Sequence, residues 1–168
     1  MGNIYVTGSS SSYAADYMTL KYDASGVLQW ARLYDGPISE DDTALSIDVD
    51  ADGSVYVTGY STGNGTNWDY VTVKYNALGD ELWVRSFDEG AGEDVGTRVR
   101  VVEVGIVVTG RSNYDYRTIM YDRDGGQQWT RTYDDSSSDA PTDMEVDGDG
   151  NIYVTGTSAR AGNDYDFA

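Results

Sequence analysis

Four copies of one short motif constrain the fold of this chain more than any other feature. Each copy is an apolar run that ends in Thr-Gly, and the closing glycines Gly8, Gly59, Gly110 and Gly156 are 51, 51 and 46 residues apart. A run beginning Asp-Tyr and a run carrying Trp-x-Arg follow the first three copies, and a fourth run precedes the next Thr-Gly. Four strand-like runs in a repeat of about 50 residues are typical of a β-propeller blade.

The composition of these runs predicts strands. Val, Ile, Tyr, Thr and Trp dominate them, and Gly, Asn, Asp and Ser separate them. In one Trp run the alternation places Trp30, Arg32 and Tyr34 on the same side. We name the strands of one repeat A, B, C and D, from the inside of a blade outwards, with the Thr-Gly run as B. We expect 13 antiparallel strands and no long helix.

We therefore predict an all-β chain that forms a single β-propeller segment of about three to three and a half four-stranded blades. The predicted segments are a partial blade over 1–35, blades over 36–88 and 89–134, and a partial blade over 135–168. Propellers usually have about 4–8 blades. We accordingly expect an arc cut from a larger propeller, whose partner is the remaining blades of the same polypeptide.

The charge balance argues against several classes of function. The chain has 29 acidic and 11 basic side chains and a net charge of −18, which disfavours nucleic acids and anionic membrane surfaces as partners. No apolar run approaches the ~18 residues of a membrane span, so we expect no membrane insertion. The chain has no Cys and no His, which excludes disulfides, thiolate metal sites and Ser-His-Asp triads.

The combined motifs also resemble a known family. Residues 2–8 read Gly-Asn-Ile-Tyr-Val-Thr-Gly, and Asp-Tyr-x-Thr-x-Lys-Tyr and Gly-x-x-x-Trp follow. This pattern resembles the SBBP-type β-propeller repeat of bacteria and archaea, in three repeats and part of a fourth. The resemblance implies the propeller fold and an extracellular or cell-surface location. The third repeat departs from the pattern, with Met120 where the others have Lys21 and Lys74.

Two A–B turns carry alternating acids before a Gly, a pattern that can wrap a hard cation such as Ca²⁺. These acids are Asp48, Asp50, Asp52, Asp147 and Asp149. We predict no cofactor, unless these turns bind Ca²⁺. An EF-hand loop would need a Glu at its twelfth position, which here is Gly59. The alternative interpretation is a polar hairpin turn in which Asp and Gly are chosen for backbone shape.

The D–A connections are the most acidic segments, with 11 acids and no Lys or Arg. In a propeller they share one face with the B–C connections, whose lengths vary between repeats. Variable loops on a fixed scaffold are typical of a binding surface. The acids that we predict to line this ligand face are Asp41, Asp42, Asp88, Glu93, Asp94, Asp134 and Asp139. The alternative is that the acids only keep the chain soluble.

We predict from these features a non-enzymatic, secreted or cell-surface module that binds a protein or carbohydrate through the acidic face. One alternative is a structural spacer in a long envelope protein. Another is a hydrolase or quinoprotein, since paired carboxylates can serve a glycosidase. Trp30, Trp83 and Trp129 follow a turn Gly by four residues, a spacing similar to that of pyrroloquinoline-quinone dehydrogenase propellers. We expect them instead to pack blade against blade.

Overall fold

The computed structural model of the chain describes residues 2–11, 14–63, 67–90, 92–135, 138–160 and 164–167. Within these residues every regular element is a β-strand, so none of them forms a helix that could cross a membrane. The all-β prediction is confirmed. Our count of 13 strands was one too low, because Asp164–Phe167 forms a further strand where we expected only two strands in the last segment.

The strands form four antiparallel sheets in chain order. Sheet 1 contains β1 (Ile4–Ser11), β2 (Ala15–Tyr22) and β3 (Leu28–Tyr34). Sheet 2 contains β4 (Asp42–Val49), β5 (Val55–Thr62), β6 (Trp68–Tyr75) and β7 (Glu81–Phe87). Sheet 3 contains β8 (Asp94–Val102), β9 (Gly105–Ser112), β10 (Asp115–Tyr121) and β11 (Gln127–Tyr133). Sheet 4 contains β12 (Asp139–Val146), β13 (Ile152–Arg160) and β14 (Asp164–Phe167).

The A strand is present in sheets 2, 3 and 4 as β4, β8 and β12, while sheet 1 begins with its B strand. Each A strand has a register shift opposite the Thr-Gly motif of its B strand. A Cβ atom on Gly59 would lie 1.9 Å from the carbonyl oxygen of Thr43, and Gly110 and Gly156 meet equivalent oxygens at 2.0 and 2.2 Å. The bulged A strand therefore requires a Gly at this position.

The core lies between consecutive sheets. At the first junction, Tyr17 and Trp30 of sheet 1 pack against Val55, Val57 and Val73 of sheet 2. The second junction repeats this arrangement with Tyr56, Tyr70 and Trp83 of sheet 2 against the aliphatic side chains of sheet 3. One face of a sheet thus supplies Tyr and Trp, and the face that meets it supplies Val and Ile together with one Tyr, Tyr75 or Tyr121. These aromatic side chains explain how a chain poor in Leu and Phe builds a core.

At the first two junctions, polar side chains bond to the C–D turn of the following sheet. Lys21 Nζ donates to the carbonyl oxygen of Ala77 over 2.8 Å, and Arg32 Nε donates to that of Gly79 over 2.6 Å. At the next junction Lys74 donates to the carbonyl oxygen of Arg123 over 2.7 Å. The repeated Lys and Arg thus carry structural hydrogen bonds, in addition to their charge.

Candidate functional site

An Asp opens each A strand and faces a Ser on the neighbouring B strand. The three pairs are Asp42 with Ser61, Asp94 with Ser112, and Asp139 with Ser158. All three carboxylates are 0 % exposed. In each, Oδ2 accepts a backbone N–H from the D–A connection at 2.6 to 2.9 Å, while Oδ1 has no hydrogen-bond donor in satisfactory geometry. The connection is therefore anchored by a buried acid that faces a Ser hydroxyl.

Two of these buried acids belong to clusters of three carboxylates. The first carboxylate cluster consists of Asp16, Asp35 and Asp42, and the second of Asp115, Asp134 and Asp139. Within each cluster, one oxygen from each residue lies within 4.8 Å of the others. Each cluster joins two sheets. Its first member lies at the start of the C strand of one sheet, its second directly follows the D strand of that sheet, and its third opens the A strand of the next sheet.

The burial of its members gives each cluster an inner and an outer side. In the first cluster Asp42 is buried, Asp16 is half-buried and Asp35 is exposed. Three negative charges thus converge at the edge of a sheet junction, and the side formed by Asp35 faces solvent. Carboxylate oxygens in such an arrangement are the ligands that hard divalent cations prefer.

Burial and mutual repulsion both disfavour ionisation in these clusters. Burial raises the pKa of the Asp42 carboxyl, and the charge of Asp35 adds to this, while the nearby Ser61 hydroxyl opposes it. Burial likewise raises the pKa of Asp115, with further increases from the charges of Asp134 and Asp139. A cation placed among these groups would favour their charged forms.

The equivalent acids between sheets 2 and 3 do not form a cluster of this kind within the described part of the chain. Here Arg117 pairs with Glu89, Arg111 Nη2 lies 2.6 Å from Glu93 Oε2, and Asp88 accepts the backbone N–H of Gly90 at 2.7 Å. Both arginines come from strands β9 and β10. The D–A connections themselves contain no Lys or Arg, so their composition did not indicate that bases from neighbouring strands neutralise this junction.

A groove of about 390 Å³ lies beside the first carboxylate cluster. Its lining residues are Tyr34, Asp35, Gly36, Pro37, Ser61, Asp69, Val71, Val84 and Ser86. Asp35 belongs to both the groove and the cluster, so a small molecule in the groove would lie next to any bound cation. Burial raises the pKa of Tyr34 to about 12, with a contribution from the charge of Asp42, so its hydroxyl stays protonated at neutral pH.

The predicted ligand-face residues have different surroundings. Asp42, Asp134 and Asp139 belong to the clusters. Asp41 Oδ1 accepts the backbone N–H of Ala15 at 3.0 Å, and Asp94 remains at the neutralised junction between sheets 2 and 3. Only part of the predicted face is therefore arranged to share a ligand.

Three acids of the A–B turns, Asp48, Asp50 and Asp147, accept hydrogen bonds from the protein with their carboxylates. Asp50 Oδ1 accepts the backbone N–H groups of Asp52 and Ser54, and its Oδ2 accepts Tyr56 and lies 3.0 Å from Arg123 Nη1. Asp147 repeats this role with the backbone N–H of Asp149 and the hydroxyl of Tyr153, and Asp48 accepts the backbone N–H of Val101. Among the described residues these acids do not form a three-carboxylate group.

The predicted ligand face did not include three members of the clusters, Asp16, Asp35 and Asp115. Asp16 and Asp115 lie at the start of a C strand, and the same position is Asp69 in the second repeat, so the signal was the recurring Asp-Tyr itself. Their proximity to the D–A acids depends on three strands from two sheets, which spacing along the chain does not reveal.

No protein-family profile and no curated protein matches the chain. Among solved structures the chain resembles a Bacteroides fragilis protein named as a "putative 6-phosphogluconolactonase", with 12% identity and a TM-score of 0.53. The match covers 91% of this chain and 44% of that one, so the chain spans less than half the length of that protein. At this identity the likeness concerns the fold alone.

This comparison corrects our functional prediction. We predicted a non-catalytic, secreted or cell-surface binding module on the basis of the repeat and the acidic loops. A solved structure that the chain resembles is instead named for a hydrolytic enzyme. The prediction of a non-catalytic module is therefore wrong on this comparison, because repetitive strands and acidic loops do not distinguish a binding scaffold from an enzyme scaffold.

Proposed function

We propose that this chain is an arc of a β-propeller that hydrolyses a small, uncharged lactone or ester with the help of a divalent cation. The observation that carries the proposal is the convergence of Asp16, Asp35 and Asp42 beside a groove. The reaction class is the one in the name of the protein whose fold the chain resembles.

The arrangement of the A strands supports the propeller arc. Neighbouring A strands contact each other, since Ser46 Oγ accepts the backbone N–H of Val99 at 3.2 Å and Arg98 Nε lies 3.0 Å from Asp143 Oδ1. In a propeller the innermost strands of successive blades meet in this way around a central axis. The resemblance to SBBP-type repeats points to the same architecture.

The first carboxylate cluster fits a hard cation in charge and in donor type. Ca²⁺ takes 6–8 oxygen ligands and extracellular modules bind it at about 10⁻⁴–10⁻³ M, which suits the extracellular location implied by the repeat resemblance. Asp42 offers a buried oxygen without a well-placed donor. Asp35 is exposed, so water and substrate would complete the coordination from its side.

The groove residues supply the remaining chemistry. A cation in the cluster would polarise the acyl carbonyl group of the substrate. The oxygen of a water molecule bonds to the carbonyl carbon while the acyl C–O bond breaks. The water proton passes to Asp35 and from there to the departing alcohol oxygen, and the neutral Tyr34 hydroxyl donates a hydrogen bond to a substrate oxygen.

The charge of the chain defines the class of substrate. The net charge is −18, and the described residues that line the groove include no Lys or Arg. A phosphate group would be repelled here and would find no basic partner. We therefore expect an uncharged substrate, in contrast to the phosphorylated compound in the name of the structural neighbour.

The test is the hydrolysis of δ-gluconolactone, an uncharged lactone, followed in a pH-stat with millimolar Ca²⁺ or with EDTA. We expect a rate above the uncatalysed one that EDTA removes, and at least a roughly tenfold loss in Asp35→Asn. Asp88→Asn is the matched control, because Asp88 is the repeat counterpart of Asp35 outside a cluster. No hydrolysis above background with Ca²⁺, Mg²⁺ or Mn²⁺ would overturn the proposal.

A further inference from the structure

Sheet 1 exposes an extended aliphatic face on the side away from sheet 2. The strand register brings its members together through the cross-strand pairs Val6 with Leu20 and Met18 with Leu33. We call the side chains Ile4, Val6, Met18, Leu20, Leu28 and Leu33 the apolar face of sheet 1. Ile4 is 51 % exposed, Val6 45 % and Leu33 54 %, which is unusual for neighbouring aliphatic residues on one sheet.

The other sheets show what normally covers such a face. The counterparts of Ile4 and Val6 are Val55 and Val57 in sheet 2, and Ile106 and Val108 in sheet 3. All four counterparts are 0 % exposed, because the aromatic and Thr-rich face of the preceding sheet packs on them.

The complementary face lies on sheet 4. Tyr56 and Thr58 of sheet 2 are 0 % exposed in the junction with sheet 3. Their counterparts in sheet 4 are Tyr153, which is 58 % exposed, and Thr155, which is also exposed. The Tyr153 hydroxyl donates to Asp147 Oδ2 over 2.9 Å, as the Tyr56 hydroxyl donates to Asp50 over 3.1 Å. The exposed Tyr153 side chain therefore makes the same hydrogen bond to its A–B turn as the buried Tyr56.

We propose that a second copy of this chain docks head to tail, with the outer face of its sheet 4, carrying Tyr153 and Thr155, on the apolar face of sheet 1. The contact continues the packing that already joins consecutive sheets within one chain. It joins two different surfaces, so it is heterologous and can close a ring or extend into an open chain. Two copies would bring twice the four sheets of one chain, at the upper end of the usual range of about 4–8 propeller blades.

The docking inference does not depend on the proposed hydrolysis. It follows from the matching of faces, whereas the proposed hydrolysis rests on the first carboxylate cluster. The net charge of −18 on each copy opposes association, so we expect association to strengthen with salt, which screens the repulsion.

Sedimentation velocity over a range of protein and salt concentrations tests the proposal. Wild type should show species larger than the 18.4 kDa monomer. Leu33→Lys places a charge in the contact and should raise the dissociation constant at least about tenfold. Leu78→Lys is the matched control, since Leu78 is 73 % exposed in the C–D turn of sheet 2 and should leave association unchanged. Circular dichroism of both variants shows whether they are folded.

A mixture of two variants then tests the head-to-tail geometry. Thr155→Lys should also be monomeric by itself, because it places a charge on the outer face of sheet 4. Leu33→Lys mixed with Thr155→Lys retains one intact contact between unlike chains, so the mixture should form a one-to-one dimer. A wild type that stays monomeric at high protein and salt concentration overturns the proposal, as does a Thr155→Lys variant that associates as well as wild type.

Discussion

The indole N–H of Trp30 donates to the backbone carbonyl oxygen of Ala77 over 3.2 Å. This hydrogen bond joins the last strand of sheet 1 to the C–D turn of sheet 2. Trp83 repeats the relationship with the carbonyl oxygen of Arg123 over 3.1 Å. Each Trp also packs between two Tyr rings, with Trp83 6.1 Å from Tyr56 and 6.2 Å from Tyr121 between ring centroids. The indole thus contributes both apolar packing and a polar link across the junction.

Replacing Trp83 should destabilise the protein strongly. Trp83→Ala removes a side chain that is 9 % exposed and leaves a cavity between sheets 2 and 3. We expect a loss of about 3–5 kcal/mol in the free energy of unfolding, measured by urea denaturation. Trp129→Ala should lose less, because Trp129 is only partly buried. A loss below about 1 kcal/mol for Trp83→Ala would contradict the packing role.

The role of Trp83 was accessible from sequence, because the fixed Gly-x-x-x-Trp spacing indicated packing between blades. The bulge opposite Gly59 could not be predicted from the sequence, although Thr-Gly was the most regular motif. The reason is that the Gly requirement comes from the carbonyl oxygen of Thr43 in another strand, and a strand-forming pattern says nothing about a register shift in its neighbour.

The bulge predicts that a Gly→Ala substitution destabilises the protein at Gly59 but not at Gly8, the equivalent position of the first repeat. Gly59→Ala would place a methyl group against the Thr43 carbonyl, so we expect a loss of about 1–3 kcal/mol in the free energy of unfolding. Gly8→Ala should change it by less than about 0.5 kcal/mol, because no atom lies within 4 Å of the added group. Thermal or urea unfolding compares the two variants, and equal losses would disprove the steric explanation.

The buried Asp42 predicts a specific dependence of stability on pH. Burial raises its pKa above the value of about 3.9 in an unfolded chain. Folding therefore favours the protonated form of Asp42. The resulting stabilisation is fully present below about pH 4 and is lost as the pH rises through the raised pKa. Asp42→Asn cannot ionise and should lose less stability than wild type between pH 4 and pH 7. Asp52 is exposed, so Asp52→Asn should show the same dependence of unfolding free energy on pH as wild type. An Asp42→Asn variant with the wild-type pH dependence would contradict this account.

Calcium should raise the melting temperature more than monovalent salt at equal ionic strength. Binding to the folded state alone stabilises it by mass action, by about 2.7 kcal/mol at a hundred times the dissociation constant. The double variant Asp35→Asn and Asp134→Asn should lose this effect, since it removes a ligand from each cluster. Asp88→Asn should keep it. Identical melting curves in calcium and in matched monovalent salt would show that the clusters bind no calcium.

The candidate site was less predictable than the strands. The sequence indicated an acidic face, and Asp42, Asp134 and Asp139 do belong to clusters. It did not show that Arg111 and Arg117 neutralise the middle junction, because these bases come from strands and not from the loops. Which carboxylates converge depends on how two sheets meet, a property that repeat spacing leaves open.

The C–D turns accept the hydrogen bonds of the preceding sheet with backbone carbonyl oxygens. The residue that supplies the oxygen is Ala77 in one turn and Arg123 in the next, so this hydrogen bond does not depend on the side chain at that position. A change in turn length is different, because one inserted residue moves the backbone by up to about 3.8 Å, farther than a hydrogen bond tolerates. Selection on these junctions should therefore conserve the number of residues in the turn more strictly than their identity.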